Sequence, residues 1–552
     1  MTSKQTASRS WLAGYRWNRW LAADALAGLA VAALLIPESL GLAVVAGLPP
    51  EVGLFAAPLA LLGYALFGGS RIAVIAVASA VSAISASVVG AIAGGDAGTF
   101  IALSAWLAIV SGLVYVTVGL LKMGWIANFM SEAVITGFVM GLAVYIIAGQ
   151  LDGLVGVEVE GENAIQKIID AFRQIPDWEP LVVVIGVGAL ALLFLLHRFL
   201  PKIPGALVVV ALGMAMVAIF DLGSRGVGVV GELPTGLPSI GLPDADLNTV
   251  LLLIPGALAV TLVGFSEGFA AVRAYAEGRV DVDRELIGFG VANLGAGLSS
   301  GMVVGGSLSK TATSDSAGGK TQMANLICAV IIVAALLFIG PIFAYLPEAV
   351  LAAVVIHAVW GLIKVEKLRE LREIHRFDFY MAVMVFLGTL LLEPIYAVLL
   401  GVAVSLVYIV YRVSFPYRAS LGVDDDTRRT VDLATHPSAR AVPGLIIYRM
   451  DAPLLYPNAN AFQDGLRGFL AEAATPVRGV IIDCEAMFTL DSTGVEALRE
   501  TVAELAESGV SVRLARVRSG AVEIMGKAGV LETVGDELVV DRVEEAIREL
   551  GG

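Results

Sequence analysis

Long runs of apolar residues, separated by short polar stretches, fill the first three quarters of the chain. A membrane-spanning helix needs about 20 apolar residues, and a broken or re-entrant segment needs fewer. Fourteen such runs are found, near residues 22–45, 52–68, 78–95, 99–121, 125–149, 180–199, 205–221, 250–272, 285–300, 306–317, 320–343, 347–363, 377–393 and 395–414. The third and tenth runs are too short or too polar to be ordinary spans.

The pattern changes near residue 415, where charges become regular and short β-rich runs alternate with helical patterns. Such alternation predicts a small sheet with helices packed on it. Strands are predicted at Gly444–Tyr448, Gly479–Cys484 and Val510–Ala515, and helices at Ala459–Ala473, Gly494–Ser508, Ala521–Ala528 and Val543–Leu550. The predicted domains are an N-terminal segment 1–20, a membrane domain 21–415, a linker 416–435 and an α/β domain 436–552.

One polar, glycine-rich stretch, Gly305–Gln322, lies between two long apolar runs. Lipid cannot satisfy a bare peptide group, so irregular backbone at membrane depth persists only inside protein or beside a water-filled cavity. This stretch is therefore either a plain loop or a binding site.

Composition agrees with a polytopic membrane protein, since 57% of the 552 residues are hydrophobic. The 61 glycines suit close packing of membrane helices. The net charge of −14 lies largely in the C-terminal part and the outer loops, so it says little about a substrate. The two cysteines, Cys328 and Cys484, indicate no disulfide framework.

Basic residues predict the orientation, because cytoplasmic connections are enriched in lysine and arginine. With the N-terminus inside, the outer connections hold only Lys167, Arg173 and Arg225. The inner connections hold Arg71, Lys122, Arg198, Lys202, Arg273, Arg279, Arg284, Lys320, Lys364, Lys367, Arg369, Arg372, Arg376, Arg412 and Arg418. The chain is therefore expected in the inner (plasma) membrane as a multi-pass protein with both termini cytoplasmic.

Several motifs together resemble the sulfate permease (SulP) family of anion transporters with a C-terminal STAS domain. Their order and spacing carry the resemblance, which covers nearly the whole chain. They are Asp24–Leu40, Ala46–Leu54, Phe265-Ser-Glu-Gly, Gly306–Thr311, Gly318–Gln322, Val442–Arg449, Tyr456-Pro-Asn-Ala and Asp491-Ser-Thr-Gly.

The resemblance implies two inverted seven-element repeats, divided into a core domain and a gate domain, usually in a homodimer. Elements three and ten would be half-helices that meet near mid-membrane, with the substrate between their N-termini. A helix N-terminus suits an anion, because it offers unpaired N–H groups and about half a positive charge. Transporters built from inverted repeats use this arrangement recurrently.

Element ten supplies most of the candidate substrate-binding residues: Ser307, Leu308, Ser309, Lys310 and Thr311. Backbone N–H groups and hydroxyls would replace the anion's water, and Lys310 would add a positive charge. The alternative is that a serine caps the helix and Lys310 reaches an interface. The family often has arginine at this position, and lysine is a point charge without arginine's bidentate geometry.

Element three begins at Ala78 and Ser79, where few polar side-chain atoms are available. Backbone N–H groups are therefore expected to bind the anion, although a tightly packed helix of small residues is an equal alternative. Relatives often have Gly-Pro just before this half-helix, where Ala76-Val77 stands here.

Two acids lie inside apolar spans, where ionisable residues are costly and usually functional. Glu267, next to Ser266, is predicted to couple transport to protons, with a structural hydrogen bond or an ion pair with Lys310 as the alternative. Glu38 follows Pro37 in the first span, and its place beside an anion site requires that it be protonated, paired with Lys310 or bound to a cation. Glu38 and Ser266 are included among the substrate-binding candidates.

In the C-terminal domain, Asp491, Ser492 and Thr493 are regulatory candidates, because a hydroxyl here is phosphorylated in related STAS domains. Capping of the following helix is the preferred interpretation within transporters. His357 and His375 lack metal-ligand spacing, and no catalytic triad or phosphate loop is recognised. The sequence thus predicts no enzyme, no metal or cofactor, and no nucleic-acid partner.

The predicted function is secondary active transport of sulfate, bicarbonate or a small dicarboxylate by an elevator-like movement. Proton or sodium symport is preferred to exchange, and a cytoplasmic partner of the STAS domain is possible in this scheme. Alternatives are a nucleobase proton symporter of the same fold, an anion-conducting channel and a membrane-anchored sensing module.

Overall fold

The computed structural model describes residues 15–124, 131–161, 163–200, 204–231, 236–276, 280–338, 340–392, 394–424, 427, 429–530 and 539–551. Most of the predicted N-terminal segment 1–20 lies outside these residues. The chain divides into two compact units, 1–405 and 406–552.

The first half of the membrane unit consists of helices joined by short connections, with one very short strand. In chain order the elements are α1 Trp17–Val45, α2 Pro50–Phe67, β1 Ile75–Ala76, α3 Ser79–Gly90, α4 Ala97–Leu120, α5 Glu132–Ala148, α6 Leu151–Val155, α7 Ala164–Arg173, α8 Pro180–Phe199 and α9 Gly205–Phe220. The sequence-predicted spans overlap each of the long helices.

The second half repeats this order, again with a two-residue strand before a short helix. Its elements are α10 Leu247–Leu251, α11 Ile254–Ala274, α12 Val282–Leu298, β2 Gly305–Gly306, α13 Leu308–Ser316, α14 Met323–Phe338, α15 Glu348–Trp360, α16 Val365–Ile374, α17 Arg376–Leu391 and α18 Pro394–Ser414.

Seven membrane elements in each half confirm the predicted architecture of two repeats. They are α1–α5, α8 and α9 in the first repeat, and α11–α15, α17 and α18 in the second. Six helices of the described part are long and apolar enough to cross a bilayer unaided. The third element of each repeat is a half-helix, with 12 residues in α3 and 9 in α13.

The strands β1 and β2 place the two half-helices side by side. They pair antiparallel, with Ile75 opposite Gly306 and Ala76 opposite Gly305. A Cβ atom on Gly306 would lie 2.3 Å from the Cα of Gly268 on α11, so only glycine fits there. Because both half-helices begin within three residues of this pairing, their N-termini meet at one place.

Aromatic side chains pack around the paired strands from α2, α4, α11 and α12. Tyr64, Tyr115, Phe265 and Phe289 are all buried, and the rings of Tyr64 and Phe289 meet edge to face with centroids 5.9 Å apart. The Tyr64 hydroxyl donates to the buried Glu285 carboxylate at 2.6 Å. This cluster holds α2, α4, α11 and α12 around β1 and β2, and the two half-helices begin just after these strands.

The second unit is an α/β domain, as predicted. After β3 Arg418–Asp424, β4 Thr430–Asp432 and β5 Ala439–Arg440, its elements are β6 Leu445–Met450, α19 Ala459–Ala471, β7 Gly479–Asp483, α20 Ser492–Glu507, β8 Ser511–Ala515, α21 Ser519–Lys527, β9 Val539–Val540 and α22 Val543–Gly551. The sheet order is β4-β3-β6-β7-β8-β9, with β5 also paired to β3.

The sheet is parallel from β6 to β9 and antiparallel where β3 meets β4, β5 and β6. Both β3 and β4 lie within the segment 416–435 that was predicted as a linker, so the sheet begins before the predicted boundary at 436. The strand β3 has mixed small, polar and charged residues, which gave it no strand-like apolar run in the sequence.

Candidate anion site

The N-termini of α3 and α13 form the centre of the candidate site. Ala78 and Ser307 are their N-cap residues, and both have extended backbones, with φ and ψ of −132° and 146° for Ala78 and −114° and 117° for Ser307. The first N–H groups of a helix have no partner within it. Two helix N-termini at one place therefore concentrate unpaired N–H groups and partial positive charge.

Side-chain hydrogen bonds hold the start of α13. The Ser307 hydroxyl accepts from the Lys310 amide at 3.4 Å and lies 3.2 Å from the Ser309 hydroxyl. The Thr311 hydroxyl donates to the Ser307 carbonyl at 2.7 Å and accepts from the Val74 amide at 3.1 Å. Thr311 thereby ties β1 to α13, and substrate contact by its hydroxyl stays a prediction.

Lys310 lies at the centre of the site and is fully buried. Its ammonium group is 2.8 Å from the Glu38 carboxylate. The same group donates to the Val77 carbonyl at 3.1 Å and to the Ser307 hydroxyl at 3.5 Å. Lys310 therefore joins α1, the segment before α3, and α13, and does not reach an interface as in the alternative interpretation.

The two predicted acids have different surroundings. Glu38 pairs directly with Lys310, whereas Glu267 on α11 interacts electrostatically with both Lys310 and Glu38. Within the described residues Glu267 forms no hydrogen bond or ion pair, and it is half-buried. The neighbouring Ser266 hydroxyl donates to the Leu262 carbonyl at 2.7 Å. The lysine is thus held by Glu38 and not by Glu267.

The start of α3 offers backbone groups and little else. Ala78 is buried, and the hydroxyl of Ser79 forms no hydrogen bond to the residues the structure describes. Ser82 donates to the Ala78 carbonyl at 2.9 Å. On α13, Leu308 is 44% exposed and Ser309 is also exposed. An anion at the meeting point would therefore find its charged partner on α13 alone.

Amide side chains that sequence reasoning missed hold both extended segments in place. Asn293 on α12 donates to the Val304 carbonyl at 2.9 Å and accepts from the Val304 amide at 3.0 Å, just before β2. Gln322 and Asn325 donate to the Ala73 carbonyl at 3.0 and 2.8 Å, just before β1. The available signal was the occurrence of amide side chains within apolar runs. A buried amide without a hydrogen-bond partner is costly, so each of these side chains indicates a polar partner nearby.

Asp24 is a further residue that sequence reasoning missed, although it opens one of the recognised motifs. It is fully buried on α1 and accepts hydrogen bonds from the Lys320 amide at 2.6 Å and the Thr321 amide at 3.1 Å. The Thr321 hydroxyl donates to it at 2.7 Å. Asp24 therefore anchors the turn that leads from α13 into α14.

A cavity of about 840 Å³ lies at the C-terminal end of α1 and beside the second half of α3. Its lining includes Val45, Ala86, Tyr145, Gln150, Glu348 and Leu351. The candidate residues Glu38, Ser79, Glu267 and Lys310 are not part of that lining.

In the second unit, Asp491 caps α20. Its carboxylate accepts from the Gly494 amide at 2.8 Å and from the Tyr456 amide at 2.7 Å. Ser492 and Thr493 are exposed, and their phosphorylation stays a prediction.

Family models match both units of the chain. The sulfate permease family matches residues 21–385, and the STAS domain matches residues 436–546. The chain belongs to the sulfate permease family. The STAS match starts after β3 and β4, which the structure nevertheless includes in the sheet of the second unit.

Relatives of this sulfate permease family member match it over most of their lengths. A probable sulfate transporter of Mycobacterium tuberculosis (strain ATCC 25618 / H37Rv) is 33% identical over 536 residues, which cover 96% of this chain and 95% of the relative. The chloroplastic sulfate transporter 4.1 of Arabidopsis thaliana is 30% identical over 566 residues, covering 98% and 81%.

Two solved structures share the fold. The murine Solute Carrier 26 family member A9 anion transporter, in its inward-facing state, has 21% identity and a TM-score of 0.90, covering 100% of this chain and 96% of that chain. The transmembrane domain of the cyanobacterial bicarbonate transporter BicA has 21% identity and a TM-score of 0.59, covering 70% and 96%.

Proposed function

We propose that this protein is a secondary active transporter that carries sulfate, bicarbonate or a small dicarboxylate between the N-termini of α3 and α13. The observation that carries this proposal is a fully buried lysine at the meeting point of two helix N-termini. Relatives named sulfate transporters and a fold neighbour named as a bicarbonate transporter support the choice of anions.

An elevator-like movement suits the distribution of the site residues. Glu38, Ser79, Glu267 and Lys310 lie on α1, α3, α11 and α13, which all belong to the core. The gate consists of α5, α8, α9, α15, α17 and α18. Because the gate contributes none of these four residues, the core can carry the complete site past the gate.

Charge at the site favours coupling to a cation. With Glu38 and Glu267 both ionised, the two carboxylates outweigh the single charge of Lys310. A further anion would then add to a net negative charge in a poorly solvated place, where like charges repel strongly. Uptake of a proton or a sodium ion would remove this repulsion, so symport is preferred to exchange.

The remaining parts of the proposal concern orientation and assembly. Lysine and arginine are concentrated in the predicted inner connections, which supports an inner-membrane protein with both termini cytoplasmic. A homodimer and a cytoplasmic partner of the STAS domain are further expectations. No enzymatic step is part of the proposal.

The test is tracer uptake by the purified full chain in liposomes. Sulfate, bicarbonate, succinate and uracil are offered separately, with and without inward proton and sodium gradients. Saturable uptake of an anion that a proton or sodium gradient drives is expected. Uracil uptake without anion uptake would favour the nucleobase alternative, and non-saturating flux would favour a channel.

Glu267→Gln tests the coupling role within the same assay. The amide cannot take up a proton, so anion uptake should lose most of its dependence on pH while exchange of internal for external anion continues. Glu366→Gln, at an exposed position on α16, is the matched acid-to-amide control and should leave the pH profile unchanged. An unaltered pH profile in Glu267→Gln would remove this residue from the coupling role.

A further inference from the structure

The ammonium group of Lys310 has no N–H left for an incoming anion. A lysine offers three donors. Here three acceptors lie within reach: the Glu38 carboxylate at 2.8 Å, the Val77 carbonyl at 3.1 Å and the Ser307 hydroxyl at 3.5 Å. The Glu38 carboxylate is the shortest contact and the charged one, so an anion can pair with Lys310 only after this carboxylate has moved away.

We propose that Glu38 is a built-in competitor of the transported anion, whose carboxylate occupies the place of the substrate's oxyanion until the substrate displaces it. This inference rests on the proposed function and deepens it. Of the three acceptors, only the Glu38 carboxylate carries the charge that the substrate would replace.

The two neutral acceptors are held by the fold, whereas the Glu38 carboxylate lies at the end of a side chain with rotatable bonds. Val77 precedes the N-cap of α3, and Ser307 is the N-cap of α13. Glu38 reaches the site on a flexible side chain that is 11% exposed, while Lys310 is fully enclosed. Glu38 is thus the more accessible member of the ion pair.

The helix α1 also lacks one backbone hydrogen bond next to Glu38. Pro37 lies inside α1 and cannot donate the hydrogen bond that the carbonyl four residues earlier would accept. Helices bend most readily at such positions. A small shift of α1 at Pro37 would carry the Glu38 carboxylate away from Lys310 without disturbing α13.

Glu38→Gln tests the competitor role, because the amide keeps the size of the side chain and loses its charge. Binding is measured as the rise in the unfolding temperature of the detergent-purified full chain with sulfate, bicarbonate or succinate as separate probes. If the Glu38–Lys310 ion pair is formed in about nine molecules of ten, only about a tenth can bind the anion. Removing the Glu38 charge then tightens anion binding about tenfold.

Glu267→Gln is the matched control, since it removes a carboxylate near Lys310 without freeing the lysine. Its gain in affinity should be clearly smaller than that of Glu38→Gln. Equal gains in the two variants would mean that only net charge matters and would overturn the competitor role. Glu38→Asp shortens the side chain and breaks the 2.8 Å contact with Lys310, so this variant should bind anions more tightly than wild type.

Other outcomes separate this inference from the proposed function. Unchanged or weaker binding by a folded Glu38→Gln protein would overturn the inference, as would a lack of binding in both wild type and variant. Tighter binding by the variant without anion uptake by either protein would support the inference and contradict transport.

Discussion

The N-termini of α3 and α13 share a backbone arrangement but differ in their side chains. Each follows a two-residue strand, and the two strands pair with each other. The α3 end presents Ala78 and Ser79, whereas the α13 end presents Ser307 and the buried Lys310. The repeated fold therefore supplies the geometry of the candidate site twice, and only the second repeat supplies its positively charged side chain.

This difference separates two contributions to anion binding. Paired helix N-termini give a site that any small anion could enter, through unpaired N–H groups. In the proposed transporter, Lys310 and its two nearby acids would set how strongly the anion binds and which cation accompanies it. Variants can remove each contribution separately.

The largest effect is expected from Lys310→Met, which makes the α13 end as uncharged as the α3 end. Glu38 would be left buried without its cation, which costs about 3–5 kcal/mol in folding free energy. Anion uptake should fall about a hundredfold or more, because the charged partner is lost. Tracer uptake and the unfolding midpoint in detergent measure both effects.

Lys320→Met, at an exposed position in the turn after α13, is the matched control and should retain uptake. The double variant Glu38→Gln/Lys310→Met should recover stability without recovering uptake. Near-normal uptake by Lys310→Met would show that backbone N–H groups bind the anion without the lysine.

Gly306→Ala should have the next largest effect, because it breaks the geometry that the two ends share. Its Cβ would lie 2.3 Å from the Cα of Gly268, whereas a Cβ on Gly305 would have its nearest neighbour at 3.5 Å. Overpacking of this kind costs about 1–3 kcal/mol. Gly305→Ala should remain close to wild type in unfolding midpoint and uptake, and equal losses in both variants would contradict the close approach.

The smallest effect is expected from the pair Ser307→Ala and Ser79→Ala, which compares the two ends directly. The Ser307 hydroxyl caps α13 and contacts Lys310, so its loss should cost about 1 kcal/mol and weaken uptake several-fold. The Ser79 hydroxyl has no such partner in the described part of the chain, so its loss should change the unfolding midpoint little. A larger loss for Ser79→Ala would place an anion ligand on α3.

Periodicity was enough to predict the helices but not the strands that align them. Runs of apolar residues predicted fourteen membrane elements, and their short, polar third and tenth members correspond to α3 and α13. The strands β1 and β2 have two residues each, which is too short for alternation to be visible. Their pairing depends on contacts between segments far apart in the chain.

The partner of Lys310 could not be predicted for a similar reason. Glu38 and Glu267 are both acids within apolar spans, and the sequence left either one as a possible partner. Only the packing of α1 against α13 brings Glu38 within 2.8 Å of the lysine. Thr311 was predicted beside the anion from its position, and its hydroxyl bonds to Val74 and Ser307 become visible only when β1 is in place.

The pairing of β1 with β2 also determines when the site can form during synthesis. The Val74 amide bonds to a side chain 237 positions later in the chain. At roughly 5–20 residues per second, a ribosome makes that partner some ten seconds to nearly a minute later. Until then β1 lacks its partner strand, so a chain that stops after the first repeat cannot form the paired helix N-termini.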